Sequence, residues 1–395
     1  MKTVNLRRFS DPDALKELAP PRLHELLVPH RGFFEGKGLN IGPLGSCAEF
    51  DYPALATLFA SPDDIPPELV EKFDMIRQLG SPNGLDHIVE GLRARSIVIA
   101  FDPDSSPADV AAQLLLRDRR LFNELHAEQA VSRFRSFTYF VSRQRVRRVQ
   151  PPEDLSPLEA ELNDFYEQHH RGRTARVFYR EKDGHFWYYI RHAEPMKREG
   201  SVELRGNASG CTIYRPERHD LVIYDSVRCE LAVHGDSRYE PELFRRAFGR
   251  HLFNDADFFP TTTKKYTLEP LKTAQRAALV SAGIPGIEAI TLVEVELATP
   301  GALWVRERYQ AQDVFGVFER RGYSIPMTLE VRKAKFLVHF TDSKRPRTLT
   351  ISPSNHAQFG RDDDAVVLAP WLQRQGFVHP AEHSEPNSNG TLESA

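Results

Sequence analysis

Apolar residues recur every three or four positions through the first 129 residues, and beyond them the dominant spacing shortens to two. Leu69, Val70, Phe73, Ile76 and Leu79 fall on one face of a helix, as do Leu85, Ile88, Val89 and Leu92. Leu15, Leu18, Leu23, Leu26 and Leu27 predict an earlier helical pair, broken by Pro20 and Pro21. Ser106-Pro107-Ala108-Asp109 reads as a capping box with proline at the first helical position. It opens a helix that carries Val110, Leu114, Leu121 and Leu125 on one face. One short strand, Ile97–Phe101, is predicted inside this helical block.

After a helix from Pro157 to about Gln168, alternating strands dominate. Asp183-Gly184 supplies hairpin-turn chemistry between Arg176–Arg180 and Phe186–Arg191. Further strands are expected at Thr212–Arg215, Leu221–Asp225 and Arg228–His234, and then a helix at Pro241–Leu252. The last block has strands at Ala289–Leu297 and Leu303–Tyr309, a short helix Asp313–Arg321 ending at Gly322, and a strand pair Met327–Val331 and Lys335–Phe340. A strand at Arg347–Ser352 and a helix Asp362–Gln375 stopped by Gly376 complete it. His379–Ala395 is polar without apolar periodicity, which predicts a disordered tail. The pattern is that of an α+β protein. A helical N-terminal domain (1–130) precedes two mainly antiparallel sheet-plus-helix domains (131–272 and 273–378) and the tail (379–395).

Composition changes this picture mainly through charge. The net charge of −3 hides a polarity: residues 1–129 carry a net −6, and residues 303–350 a net +5. Of the 52 basic residues 40 are arginine, a bias common in GC-rich bacterial genomes. Three cysteines, Cys47, Cys211 and Cys229, are too few and scattered for a disulfide framework, which points to a reducing cytoplasm. Cys211 and Cys229 fall on expected strands, as small buried side chains. No apolar run is long enough to span a bilayer, so no membrane partner is expected. The first residues lack the apolar core of a signal peptide.

Candidate catalytic strings are few. Ile97-Val98-Ile99-Ala100-Phe101-Asp102-Pro103-Asp104 is an apolar run ending in Asp-x-Asp. It resembles the opening motif of haloacid-dehalogenase-like phosphotransferases, which implies Asp102 as nucleophile and Asp104 as acid/base. The string departs from that family at Ser105, and no later lysine and acidic pair completes the set. The competing expectation is a loop whose acids favour the next helix N-terminus. A metal-dependent nuclease needs an Asp followed by Glu-x-Lys on an adjacent strand. Asp220 or Asp225 followed by Glu230 has that setting, but Ala232 stands where the lysine belongs. In Glu330-Val331-Arg332-Lys333 the lysine comes one residue late, on the opposite face. Asp255-Ala256-Asp257 reads as a packed turn, His169-His170 as a helix end, and Gly36, Gly38, Gly42 and Gly45 as a loop without phosphate-binding context. No cofactor or metal motif emerges.

The strongest chemical signal is basic. Residues 131–149 carry Arg133, Arg135, Arg143, Arg145, Arg147 and Arg148 and no acidic residue. In a strand, Arg143, Arg145 and Arg147 would share one face, where their repulsion calls for an anion or an acidic surface. The acidic N-terminal block is one such partner and a phosphate backbone is the other. A second patch, Arg332, Lys333 and Lys335 with Lys344, Arg345 and Arg347, falls on a hairpin and its tip. Phe186, Trp187, Tyr188 and Tyr189 place rings on both faces of one strand, for packing or for base stacking. These features predict a nucleic-acid-associated or accessory assembly protein, without an enzymatic set of its own. Its phosphate contacts would be Arg143, Arg145, Arg147, Arg148, Arg171, Arg173, Lys333, Lys335, Lys344, Arg345 and Arg347, and its partners DNA or RNA and a separately encoded enzyme. The alternatives are a divergent nuclease or phosphohydrolase built on Asp102/Asp104 or Asp225/Glu230, and a protein–protein scaffold.

Overall fold

The computed structural model describes residues 6–42, 50–60, 65–131, 134–142, 152, 154–182, 184–202, 209–235, 239–301, 305–353, 355–360 and 364–380. The chain divides into two compact units, one on residues 1–132 with 200–211, the other on 133–199 with 212–395.

The first unit is helical. Its elements are α1 (Pro12–Lys16), α2 (Pro20–Leu27), α3 (Arg31–Gly36), α4 (Tyr52–Ala60), α5 (Pro67–Leu79), α6 (Pro82–Ala94), α7 (Pro107–Arg117) and α8 (Arg119–Val131). Proline occupies the first turn of α1, α2, α5, α6 and α7, where no intrahelical N–H bond is lost. The Ser106 cap forms as the capping box predicts: its Oγ accepts the Asp109 N–H at 3.0 Å. Phe9, Phe59 and Phe73 meet edge-on or tilted at the centre of a leucine-rich core. The strand expected at Ile97–Phe101 does not form. Its residues run without strand pairing, and Val98 is 94% exposed. A lone apolar run needs a sheet edge to join, and no described strand pairs with it.

The second unit holds a sheet whose described pairings are all antiparallel. Its strands are β1 (Ser136–Val141), β2 (Arg176–Lys182), β3 (His185–Ala193), β6 (Glu217–Asp225), β7 (Glu230–His234), β8 (Ile287–Ala298), β9 (Arg306–Gln310), β10 (Glu330–Phe340), β11 (Arg347–Ser352) and β12 (His356–Gln358). Their order is β2-β3-β6-β7-β1-β12-β11-β10-β8-β9, with β1 joining the strands of 176–234 to those of 287–358. β4 (Lys197–Val202) and β5 (Ser209–Tyr214) form a separate two-stranded ribbon. Antiparallel pairing, mixed with substantial helix, makes the protein α+β.

Two cores pack against the sheet. Phe186, Tyr188 and Ile190 of β3 and Val222 and Tyr224 of β6 meet α9 (Ser156–Gln168) and α10 (Glu240–Phe253) through Leu162, Tyr166, Phe244 and Phe248. Ala334, Phe336 and Val338 of β10 and Leu349 and Ile351 of β11 meet Trp371 of α13 (Asp364–Arg374) and Phe315 and Phe318 of α12 (Val314–Arg320). Two strands expected at 327–331 and 335–340 are one, β10, which absorbs register shifts after Val331, Lys335 and His339. Those shifts break the strict alternation on which the sequence reading relied. Cys211 is exposed, against expectation, and Cys229 is buried in a turn with φ of 51° rather than within β7. Among the described residues, no helix is long and apolar enough to cross a membrane.

Candidate functional site

The basic residues singled out by sequence part company in the structure. Arg133, Arg143, Arg145, Arg147 and Arg148 lie outside the described residues. Arg173 pairs with Asp164 at 2.6 Å and Glu167 at 3.0 Å along the exposed side of α9. Lys333 lies 3.3 Å from Glu294, which also accepts from Arg308 at 2.7 Å. Burial alone would raise the Glu294 carboxyl, but those two cations hold it below the usual range. The Arg347 guanidinium sits 3.9 Å over the Phe340 ring and ion-pairs with Asp342 and with the buried Asp364. These three side chains are engaged within the fold. Lys335 is different. It alternates with the buried Ala334 and Phe336 on the half-exposed polar face of β10. Lys344 and Arg345 are exposed on the turn between β10 and β11, and neither has an acidic partner among the described residues.

The polar face around Lys335 is assembled by register. Lys335 lies across from Thr350 on β11 and Glu294 on β8; Thr350 lies across from Gln358, and Thr138 across from His356. The His356 Nε2 and Ser136 Oγ are 2.7 Å apart. Burial first, then the neighbouring Lys333 and His234, pushes the His356 pKa below its ordinary value.

The aromatic run on β3 divides between the faces. Phe186 and Tyr188 are core, with Tyr188 edge-on to Phe248 at 4.9 Å, and Trp187 stacks toward Tyr189 at 6.4 Å.

The acidic candidates carry structural duties. Asp102 ion-pairs with Arg22 and lies 3.7 Å from Arg117, and Asp104 adopts φ of 60° in a turn. The neighbouring Asp109 is buried and accepts from Ala19 N, Ser105 Oγ and Gln113 Nε2. Asp225 accepts the N–H groups of Val227 and Arg228, closing the β6–β7 turn. Glu230, its cross-strand neighbour, takes the Lys265 Nζ at 2.5 Å, and that ammonium sits 3.6 Å over the Tyr139 ring. Lys265 supplies the amine that the strand itself lacks. With Arg228 3.9 Å from Asp225, however, each carboxylate already has its cation. This pair is balanced without a metal ion.

A second buried acidic pair lies beside a histidine. His192, Asp220 and Glu240 are each no more than 1% exposed. His192 closes the core-facing row Phe186, Tyr188, Ile190 on β3. Asp220 opens the row Val222, Tyr224 on β6, and Glu240 begins α10. The His192 Nε2 is 2.9 Å from Asp220 Oδ2 and 4.0 Å from Glu240 Oε1. Its Nδ1 lies 3.0 Å from the Ala193 carbonyl, and the Tyr166 ring stacks on the imidazole at 4.2 Å and 12°. Arg171 donates to Glu240 Oε1 at 2.6 Å. Burial, followed by the Glu240 charge, raises the Asp220 carboxyl against the pull of His192. The sequence reading assigned Arg171 to phosphate and passed over the other four residues, apart from the Asp220 weighed as a nuclease acid. A signal was nevertheless present: His192 and Asp220 sit in phase with the apolar positions of their strands, where a polar side chain must find a partner.

No protein-family model and no curated protein matches this chain.

Proposed function

We propose that the protein is a nucleic-acid-associated accessory protein of the bacterial cytoplasm, working beside a separately encoded enzyme and touching phosphate through the β10–β11 hairpin. The observation that carries this reading is the exposure of Lys344 and Arg345 on the hairpin turn without an acidic partner among the described residues. Lys335 adds a third cation on the polar face of the same strand. Lysine and arginine on a firm hairpin, with no internal charge to satisfy, suit a polyanion backbone. Direct contacts of this type read charge rather than base sequence, so the expected binding is weak, salt-sensitive and tolerant of sequence. Fluorescence anisotropy of the full chain with labelled duplex DNA and single-stranded RNA at low salt is the test. Binding of either that weakens when Lys344 and Arg345 are both changed to Glu supports the reading. Absence of binding to both, or binding indifferent to that change, overturns it.

A further inference from the structure

Alternation gives β10, β11 and β12 one buried and one open face. Ala334, Ile351 and Ala357 point into the core that holds Trp371. Their strand neighbours point the other way. Lys335 lies across from Thr350, Thr350 from Gln358, and Gln358 from Ser136, so one polar row crosses four strands. Thr348 and Gln358 on this face are exposed, and Ser136, Lys335, Leu337 and His339 are half-exposed. From Lys335–His339 of β10 across to Ser136 and Thr138 of β1, the face carries no carboxylate and no phenyl, phenol or indole ring.

The cations that serve this face stand at two separate places. Lys335 has no ion pair among the described residues, and Glu294 across from it is already held by Lys333 and Arg308. Lys344 and Arg345 lie beyond the end of β10 at Phe340. Five residues of strand from Lys335 to Phe340 span about 17 Å. Over that interval the open face of β10 offers only Leu337 and His339, with Thr348 beside Leu337 on β11. A single strand laid along β10 would put phosphates over this gap, and its bases would find no ring of Phe, Tyr or Trp on which to stack. A B-form duplex presents itself differently. Its two phosphate rows flank a major groove about 12 Å wide, so the two cation positions can each take one row.

We propose that the open face of β10, β11, β12 and β1 is a docking surface for B-form duplex DNA, held by both of its strands. Lys335 takes the phosphates on one side of a groove, and Lys344 and Arg345 take those on the other. This inference rests on the nucleic-acid reading above and narrows it to one ligand. The neutral side chains of the row, Thr348, Gln358 and Ser136, add hydrogen bonds to phosphate and sugar oxygens without repelling them. Duplex RNA fits the spacing less well, because the major groove of an A-form helix is narrow and deep. The face is made for a charged, regular backbone and lacks the stacking platform of a single-strand binder.

The test measures the full chain by anisotropy across a salt series with three labelled probes of one sequence: a 20-base-pair DNA duplex, its single strand, and the duplex RNA. The DNA duplex should bind most tightly, by about 10-fold over the single strand at low salt. Lys335→Gln should flatten the log–log salt slope for the DNA duplex by about 1, and the triple variant with Lys344→Glu and Arg345→Glu by about 3. Lys335→Arg, which keeps the charge, should restore the wild-type slope, and that rescue separates a lost phosphate contact from a disturbed strand. Binding of the single strand or of the RNA duplex as tight as that of the DNA duplex overturns this inference. So does a DNA slope unchanged by Lys335→Gln. Either result leaves the hairpin reading standing provided that Lys344→Glu/Arg345→Glu still weakens binding. Absence of binding to all three probes overturns both.

Discussion

The Nε of Arg347 lies 2.9 Å from the Oδ1 of Asp364, a carboxylate only 2% exposed, while Arg345, two residues earlier on the same hairpin, is exposed. The two arginines are adjacent in any charge count and do opposite work. Arg347→Met withdraws a close cation from a buried carboxylate and lifts the guanidinium off Phe340. A loss of about 3 kcal/mol is expected. Reversing Lys344 and Arg345 to Glu should change stability by no more than about 0.5 kcal/mol, since both are exposed and neither has an acidic partner among the described residues. Thermal melting of the two variants side by side checks this, and equal melting points would contradict the division.

The same division governs binding. Two phosphate contacts removed by Lys344→Glu/Arg345→Glu should flatten the log–log salt dependence of duplex DNA affinity by about 2. Arg347→Met, measured where it remains folded, should leave that slope within about half a unit, because its charge is spent on Asp342 and Asp364. Affinity measured across a salt series reads the slope directly. If Arg347→Met lowers the slope as much as the double reversal does, the hairpin assignment is wrong.

The helical unit and most of the strands were legible because each depends on a local pattern. The Ser106 cap, Gly184 in the turn between β2 and β3, and the apolar face of α10 each act within a few residues. What escaped was set by register across long separations. β12, only three residues long, follows from pairing with both β1 and β11, and no run of three residues announces that. Ion pairing escaped for the same reason: Arg347 meets Asp364 and Lys265 meets Glu230 through the fold, so sequence alone does not tell which cations are engaged within it. The buried cluster was half visible, since His192 and Asp220 break apolar rows in phase. Only the diagonal placement of β3 against β6 reveals that they meet.

His356 makes stability pH-dependent with a definite sign. Its folded-state pKa is depressed, first by burial and then by Lys333 and His234, so the unfolded chain binds protons more readily. Stability from this group is therefore present above about pH 6.5, falls as pH drops through the interval down to the folded pKa, and is flat below it. The wild type should lose Tm between about pH 7 and about pH 5. His356→Asn, which cannot titrate but offers an amide near Ser136, should lose less over the same interval. Parallel pH profiles for the two proteins would remove His356 from this account.

The end of α10 gives a prediction in which two effects compete. Gly249 lies inside the helix, and alanine there would gain about 1 kcal/mol of helix propensity. The chain, however, turns back over that position. Asn254 takes φ of 55°, Phe258 stacks on Phe253 at 3.7 Å, and a Cβ on Gly249 would stand 2.6 Å from the Asp255 carbonyl oxygen. The obstruction is backbone, held further by Arg245 donating to the Phe259 carbonyl at 2.6 Å, so it cannot swing aside. Overpacking of this kind costs about 1–3 kcal/mol, and Gly249→Ala should come out net destabilising. Gly32, also in a helix, has nothing within 4 Å of its would-be Cβ, so Gly32→Ala should gain up to about 1 kcal/mol. Denaturant unfolding of both variants decides the matter: opposite signs are expected, and stabilisation by Gly249→Ala would mean that the turn after α10 is looser than the Phe253–Phe258 stack implies.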